Sequence, residues 1–224
     1  MYKRMITILI ILLFLLIPIS LYSIFIYAPI ERTMGEVQKI FYYHLGAAIT
    51  AFIAFFIVFI CGIFFLIKRE KIYDIVGSSA AEIGVVYTTI VLITGMLWAK
   101  PIWNVWWTWD PRLTATFILW LIYISYGLLR FNLKENDNMP IYGAIFGIVG
   151  FLDVPLVFMS IRWWRTIHPV IIKKTSIEIS REMLIVLIIS IVVNLLIFLT
   201  LMLNTVRIEK IRVQVEDFKN MFEE

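Results

Sequence analysis

Cysteine is nearly absent from this 224-residue chain. The single thiol, Cys61, excludes an internal disulfide framework and a thiolate metal cluster. It lies midway along an apolar run and reads as a small packing residue. Charge is scarce as well: 16% of residues are charged and 62% hydrophobic, against roughly 25% and 45–50% in soluble domains. The alternation of apolar and polar residues that builds a membrane β-barrel is missing; apolar residues come in long unbroken runs. A mean hydropathy of +0.92 excludes disorder. No phosphate-binding glycine loop, nucleophile–base pair or carboxylate dyad of recognisable spacing occurs, so bond-making by side chains is not expected and the chain does not read as an enzyme. What remains is an all-α polytopic membrane protein.

A helix crosses the ~30 Å bilayer core with about 20 apolar residues. Six segments meet that length, near 6–27, 45–67, 79–98, 113–129, 140–160 and 183–204. The first follows Lys3 and Arg4 as a signal peptide would, but it is too long and lacks a small-x-small cleavage site, so it is expected to be a retained anchor. Gly143 and Gly147 form a close-packing GxxxG pair in the fifth. Residues 1–206 thus form a six-helix domain, followed by a tail, 207–224. In the tail Ile208, Ile211, Val215, Phe218 and Phe222 recur at helical spacing between charges. It reads either as a solvated extension of the sixth span or as a docking segment.

An even number of spans puts both termini on one face. Eleven of the 20 Lys and Arg lie on that face, among them the compact groups Lys3-Arg4 and Lys68-Arg69-x-Lys71, which favours cytoplasmic termini. The net charge of +4 therefore reports orientation, not nucleic-acid binding. Five of the nine other cations sit in the last outer loop: Arg162, Arg165, Lys173, Lys174 and Arg181. That concentration suits an anionic ligand.

Both histidines, His44 and His168, fall in the loops opposite the termini. Of eight tryptophans, Trp98, Trp103, Trp106, Trp107 and Trp109 gather in or beside the middle outer loop, and Trp163 and Trp164 in the third. Trp120 alone is well inside a span. An aromatic belt would populate both interfaces, so the one-sidedness points to a site on the outer face. A lone interfacial histidine is ordinarily a hydrogen-bonded loop residue; the tryptophan cluster carries the argument. Two imidazoles are too few for structural zinc, but they are enough for haem, whose porphyrin supplies four nitrogens. Indoles offer a flat apolar surface to a porphyrin, and Arg pairs with propionates. Arg112, Arg162 and Arg165 are the nearest candidates. Without a CxxCH site, the haem would be held non-covalently. Asp110-Pro111 reads as the N-cap and first position of the fourth span, with a second-shell contact to a histidine also open. Asp153, before Pro155, is either functional or a cap for backbone groups that the proline frees.

Trp103-Asn-Val-Trp-Trp-Thr-Trp-Asp110-Pro-Arg-Leu-Thr114 resembles the WWD motif of haem-handling proteins in cytochrome c biogenesis. Lys39-Ile-Phe-Tyr-Tyr-His44-Leu-Gly-Ala-Ala48 resembles that family's first histidine motif. Asp153-Val-Pro155 with Arg162-Trp-Trp-Arg-Thr-Ile-His168 resembles its second. Six spans and this length are similar to the CcmC (haem exporter protein C) branch. The resemblance implies b-type haem with His44 and His168 as axial ligands, against a platform of Trp103, Trp106, Trp107, Trp109 and Asp110. It also implies an inner-membrane location, the haem chaperone CcmE as acceptor, and the ABC-type subunits CcmA and CcmB as partners. Asn104 stands where the motif has Gly, and Pro111 where Ala is common; Asn tolerates left-handed backbone and Pro suits a helix start. Two other classes fit less well. An electron-transfer cytochrome or quinone oxidoreductase would bury histidines near both faces, and a small-solute transporter would gather polar groups at mid-membrane, where Asp153 is the one carboxylate.

Overall fold

The computed structural model describes residues 2–165 and 179–223. His168, Pro169, Lys173 and Lys174 lie outside the described residues. Among the described residues seven α-helices make six crossings: α1 (Tyr2–Tyr22), α2 (Lys39–Lys68), α3 (Lys71–Trp103), α4 (Pro111–Asn132), α5 (Met139–Phe151), α6 (Asp153–Trp163) and α7 (Arg181–Glu223). Six stretches are long and apolar enough to span a membrane, with α5 and α6 together forming one of them. No strand occurs among the described residues.

The helix ends follow from local chemistry. α1 runs on through a π-helical turn, Ser23–Tyr27. α2 stops where Arg69 adopts a left-handed conformation (φ 59°) and its N–H bonds the Phe65 carbonyl at 2.8 Å. α4 opens as Asp110-Pro111 predicts: the Asp110 carboxylate accepts from the Arg112 N–H at 3.0 Å, and Pro111 takes the first helical position. The fifth span, expected as one helix, is broken. Pro155 has no N–H to give the Phe151 carbonyl, and Leu152 N–H bonds Val149 in a tighter turn at 3.1 Å. Asp153 heads α6, buried, with its Oδ2 lacking a hydrogen-bond partner.

α2 is the hub, packed against α3, α5 and α7. Buried Gly46, Ala47, Ala48, Ala51 and Ala54 let its neighbours approach closely. Phe55 stacks on Tyr123 of α4 with centroids 3.7 Å apart, and Gly84 of α3 leaves it room: a Cβ there would lie 2.5 Å from the Phe55 ring. The GxxxG pair works in the same way, since a Cβ on Gly147 would sit 2.7 Å from Val58. Cys61 is buried beside Gly77, as a packing residue should be. At the end carrying the termini, Arg130 makes a two-pronged bond to Asp74, 2.6 and 2.7 Å, and a third to the Tyr126 hydroxyl. Gly143 gives the guanidinium its space.

Candidate functional site

The opposite end is built from the α1–α2 connection, the first turns of α2, the last turns of α3 and the segment 104–110. Glu31 organises the first connection. Its carboxylate accepts from the Thr33 and Met34 N–H groups at 2.8 and 2.7 Å and from the Thr33 hydroxyl. The Thr33 hydroxyl, with the Met34 amide next, holds this carboxyl below the ordinary range. Gln38 then ties the connection to α2: its Oε1 accepts from Glu31 N–H at 2.7 Å and its amide donates to the Tyr42 hydroxyl at 2.6 Å.

The sequence places His44 at the end of that loop; the structure corrects this. α2 begins at Lys39, after a 3-10 turn at Glu36–Gln38, so His44 is helical and faces α3. Its Nδ1 lies 2.9 Å from the Thr94 hydroxyl, and Gly95, one residue on, leaves the ring its space. The Thr94 hydroxyl has a single proton and places it on the Ile90 carbonyl at 2.6 Å. With its proton there, the hydroxyl accepts from His44, an arrangement that puts the ring proton on Nδ1. The Val91 carbonyl lies 3.3 Å from the same hydroxyl. In that tautomer Nε2 carries the lone pair, the form in which a neutral imidazole binds a metal, and among the described residues no hydrogen bond takes it. Arg112, on the first turn of α4, is within electrostatic reach of this ring.

Trp98 and Trp103 were assigned to the middle loop or its edge; they belong to α3, where they pack edge to face at 5.0 Å. α3 ends at Asn104, left-handed at φ 60°, the conformation for which Asn substitutes for Gly. Lys100 holds this turn through the Asn104 carbonyl at 3.1 Å. Trp107 packs edge to face against Trp109 and Phe117, Phe117 stacks on Trp120, and the Trp120 N–H donates to Thr89 of α3 at 2.8 Å. This chain anchors the loop's inner side. Trp106 and Trp109 remain 54% and 74% exposed, which leaves indole faces open to a ligand. Asp110 is buried beneath them. The buried hydroxyls of Thr108 and Thr114, on either side of it in sequence, have no hydrogen-bond partner among the described residues.

His44, Arg112 and the loop indoles thus share one end. Arg162, Trp163, Trp164 and Arg165, at and just beyond the end of α6, are all exposed, and Trp163 and Trp164 pack on each other at 5.9 Å. Among the described residues no ring contact joins that pair to the 104–110 indoles. No group of three or more His, Cys, Asp or Glu that could hold a bare metal ion occurs among the described residues. One free imidazole nitrogen beside open indoles fits a ligand that supplies most of its own metal coordination. Thr94, Thr89 and Phe117 were not singled out as site residues. Thr88, Thr89 and Thr94 do make the 79–98 stretch polar for a span, which is a signal for the two threonines, whereas Phe117 has none.

A model of the family described as "Heme exporter protein C" matches residues 1–220. A Marchantia polymorpha protein described as a putative cytochrome c biosynthesis ccmC-like mitochondrial protein is 35% identical over 156 residues, 68% of this chain and 66% of its own length. Two proteins named heme exporter protein C also match. The one from Bradyrhizobium diazoefficiens is 29% identical over 92% of this chain and 79% of its own length. The one from Escherichia coli is 30% identical over 63% of this chain and 58% of its own length. The chain thus spans just under two thirds of the Marchantia relative and less of the E. coli one. With six membrane-spanning stretches and a family match over nearly its whole length, this chain is a multi-pass membrane protein that belongs to the CcmC, or haem exporter protein C, family of cytochrome c biogenesis.

Proposed function

We propose that this chain binds haem b non-covalently at the face opposite its termini and delivers it to a haem chaperone of the CcmE kind, alongside ABC-type subunits of the CcmA and CcmB kind. His44 and His168 are the axial ligands. Trp103, Trp106, Trp107 and Trp109 form the platform, Asp110 holds the loop to α4, and Arg112, Arg162 and Arg165 are the propionate partners. Trp163 and Trp164 extend the apolar surface. The chain lies in the inner membrane with both termini cytoplasmic and the tryptophan loop outside.

The observation that carries this reading is the His44–Thr94 pair. The hydroxyl bonds Nδ1, and with the ring proton on that nitrogen the Nε2 lone pair is available to iron, at the end where the indoles are exposed. Haem would supply the iron and four of its six ligands. The chain's own work is to hold, orient and release, which needs no bond-making by its side chains; any covalent step belongs to the acceptor. The absorption spectrum of purified, haem-loaded protein tests the assignment. His44→Ala and His168→Ala should each lose most of the Soret band and bound haem. Retention of both in both variants overturns the ligand set.

A further inference from the structure

α7 is one unbroken helix of 43 residues, without proline or glycine. It rises ~64 Å, about twice the ~30 Å hydrocarbon layer. Arg207, Glu209, Lys210 and Arg212 mark where it leaves that layer, with Glu209 and Arg212 paired at 2.8 Å and Glu82 of α3 within electrostatic reach of both. Beyond them the helix has two unlike faces. Met202, Val206 and Val213 pack on the bundle core. On the opposite side Ile208, Ile211, Val215 and Phe218 are exposed by 48–58%. Their spacing of three, four and three residues is that of coiled-coil a and d positions. Arg207, Arg212 and Lys219 take the flanking g and e positions, all three exposed, whereas Glu209 and Glu216 sit away from the seam.

We infer that this end of α7 is a docking rail for a helix of another protein, one whose apolar seam is flanked by Asp or Glu. The flanking cations select such a partner by charge. They also oppose a second copy of the chain, since a parallel pair would set Arg207 of one copy beside Arg212 of the other. The helix continues in line with its span, without the break that would let it lie in the membrane plane, so a lipid surface does not cover the seam.

The test uses the full chain in nanodiscs of zwitterionic lipid. The probe is a synthetic helical peptide with Leu and Ile at its a and d positions and Glu at e and g; the control peptide carries Lys there. The Glu peptide should bind about tenfold or more tightly than the Lys peptide. Arg207→Glu with Lys219→Glu should invert that preference, and Ile211→Asp with Val215→Asp should abolish binding by either peptide, with helix content unchanged. Equal binding of the two peptides overturns the inference. So does self-crosslinking of an Ile211→Cys variant, or burial of a spin label at position 221 in nanodiscs of anionic lipid. Binding is read without haem, so its failure is separable from failure of the haem assignment.

Discussion

The two ends of this bundle solve opposite problems. At the end carrying the termini, charges are buried and matched: Arg130 and Asp74, side chains 16% and 15% exposed, close on each other in two parallel bonds, and Tyr126 completes the guanidinium. At the other end, groups are positioned and left incomplete. Two indoles are exposed and, among the described residues, two buried hydroxyls lack partners and an imidazole has a hydrogen bond at one nitrogen alone. A closed polar network makes structure, whereas an open one asks for a ligand. Substitutions should therefore lower stability at one end and affinity at the other.

Arg130→Ala offers the largest expected effect. It strands Asp74 without its partner, and removing one member of a buried pair costs about 3–5 kcal/mol. Thermal unfolding in detergent should show a clear fall in Tm while haem bound per folded chain is unchanged. An unchanged Tm would mean that this end is not a closed network.

Thr94→Val probes the other end. The bundle should keep its stability, but His44 loses the hydroxyl that bonds its Nδ1 and orients the ring. Loss of such a partner weakens metal affinity by about 10–100-fold. Haem titration should show that loss, with a shifted Soret maximum, and Thr94→Ser should restore both. Rescue by Ser separates positioning of the imidazole from mere packing.

The smallest effect belongs to the α1–α2 connection. Glu31 has its carboxyl lowered by hydrogen bonds that only the ionised form accepts fully. Its contribution to order is present above the ordinary carboxylate range and fades as pH falls below it. Protection of the Thr33 and Met34 amides, measured against their intrinsic exchange rates at each pH, should fall on acidification through that range, and Glu31→Gln should be poorly protected at every pH. If the wild type keeps its protection in acid, the carboxylate is not what holds the turn.

The sequence made some of this legible and hid the rest for identifiable reasons. Six spans followed from apolar runs, and the start of α4 from Asp110-Pro111, because both are local signals. The depth of His44 was misread: polar and aromatic residues around Lys39, Tyr42 and Tyr43 looked like loop, while the Gln38–Tyr42 bond starts the helix earlier. Thr94 was invisible as a histidine partner because the pairing depends on the register of α2 against α3, 50 residues apart. Arg130 and Asp74, 56 residues apart, were hidden in the same way. Pro155 lay in plain view, yet a proline in an apolar run does not say whether the helix bends or breaks.

α1 has a consequence of another kind. Its helical neighbour in the bundle is α7, and much of the rest of its surface, including Ile8, Phe14 and Ile26, is open to lipid. Of these seven helices α1 leaves the ribosome first and α7 last. Through most of translation α1 must therefore wait in the bilayer as an independently stable span, and the bundle can be closed only when the final helix arrives.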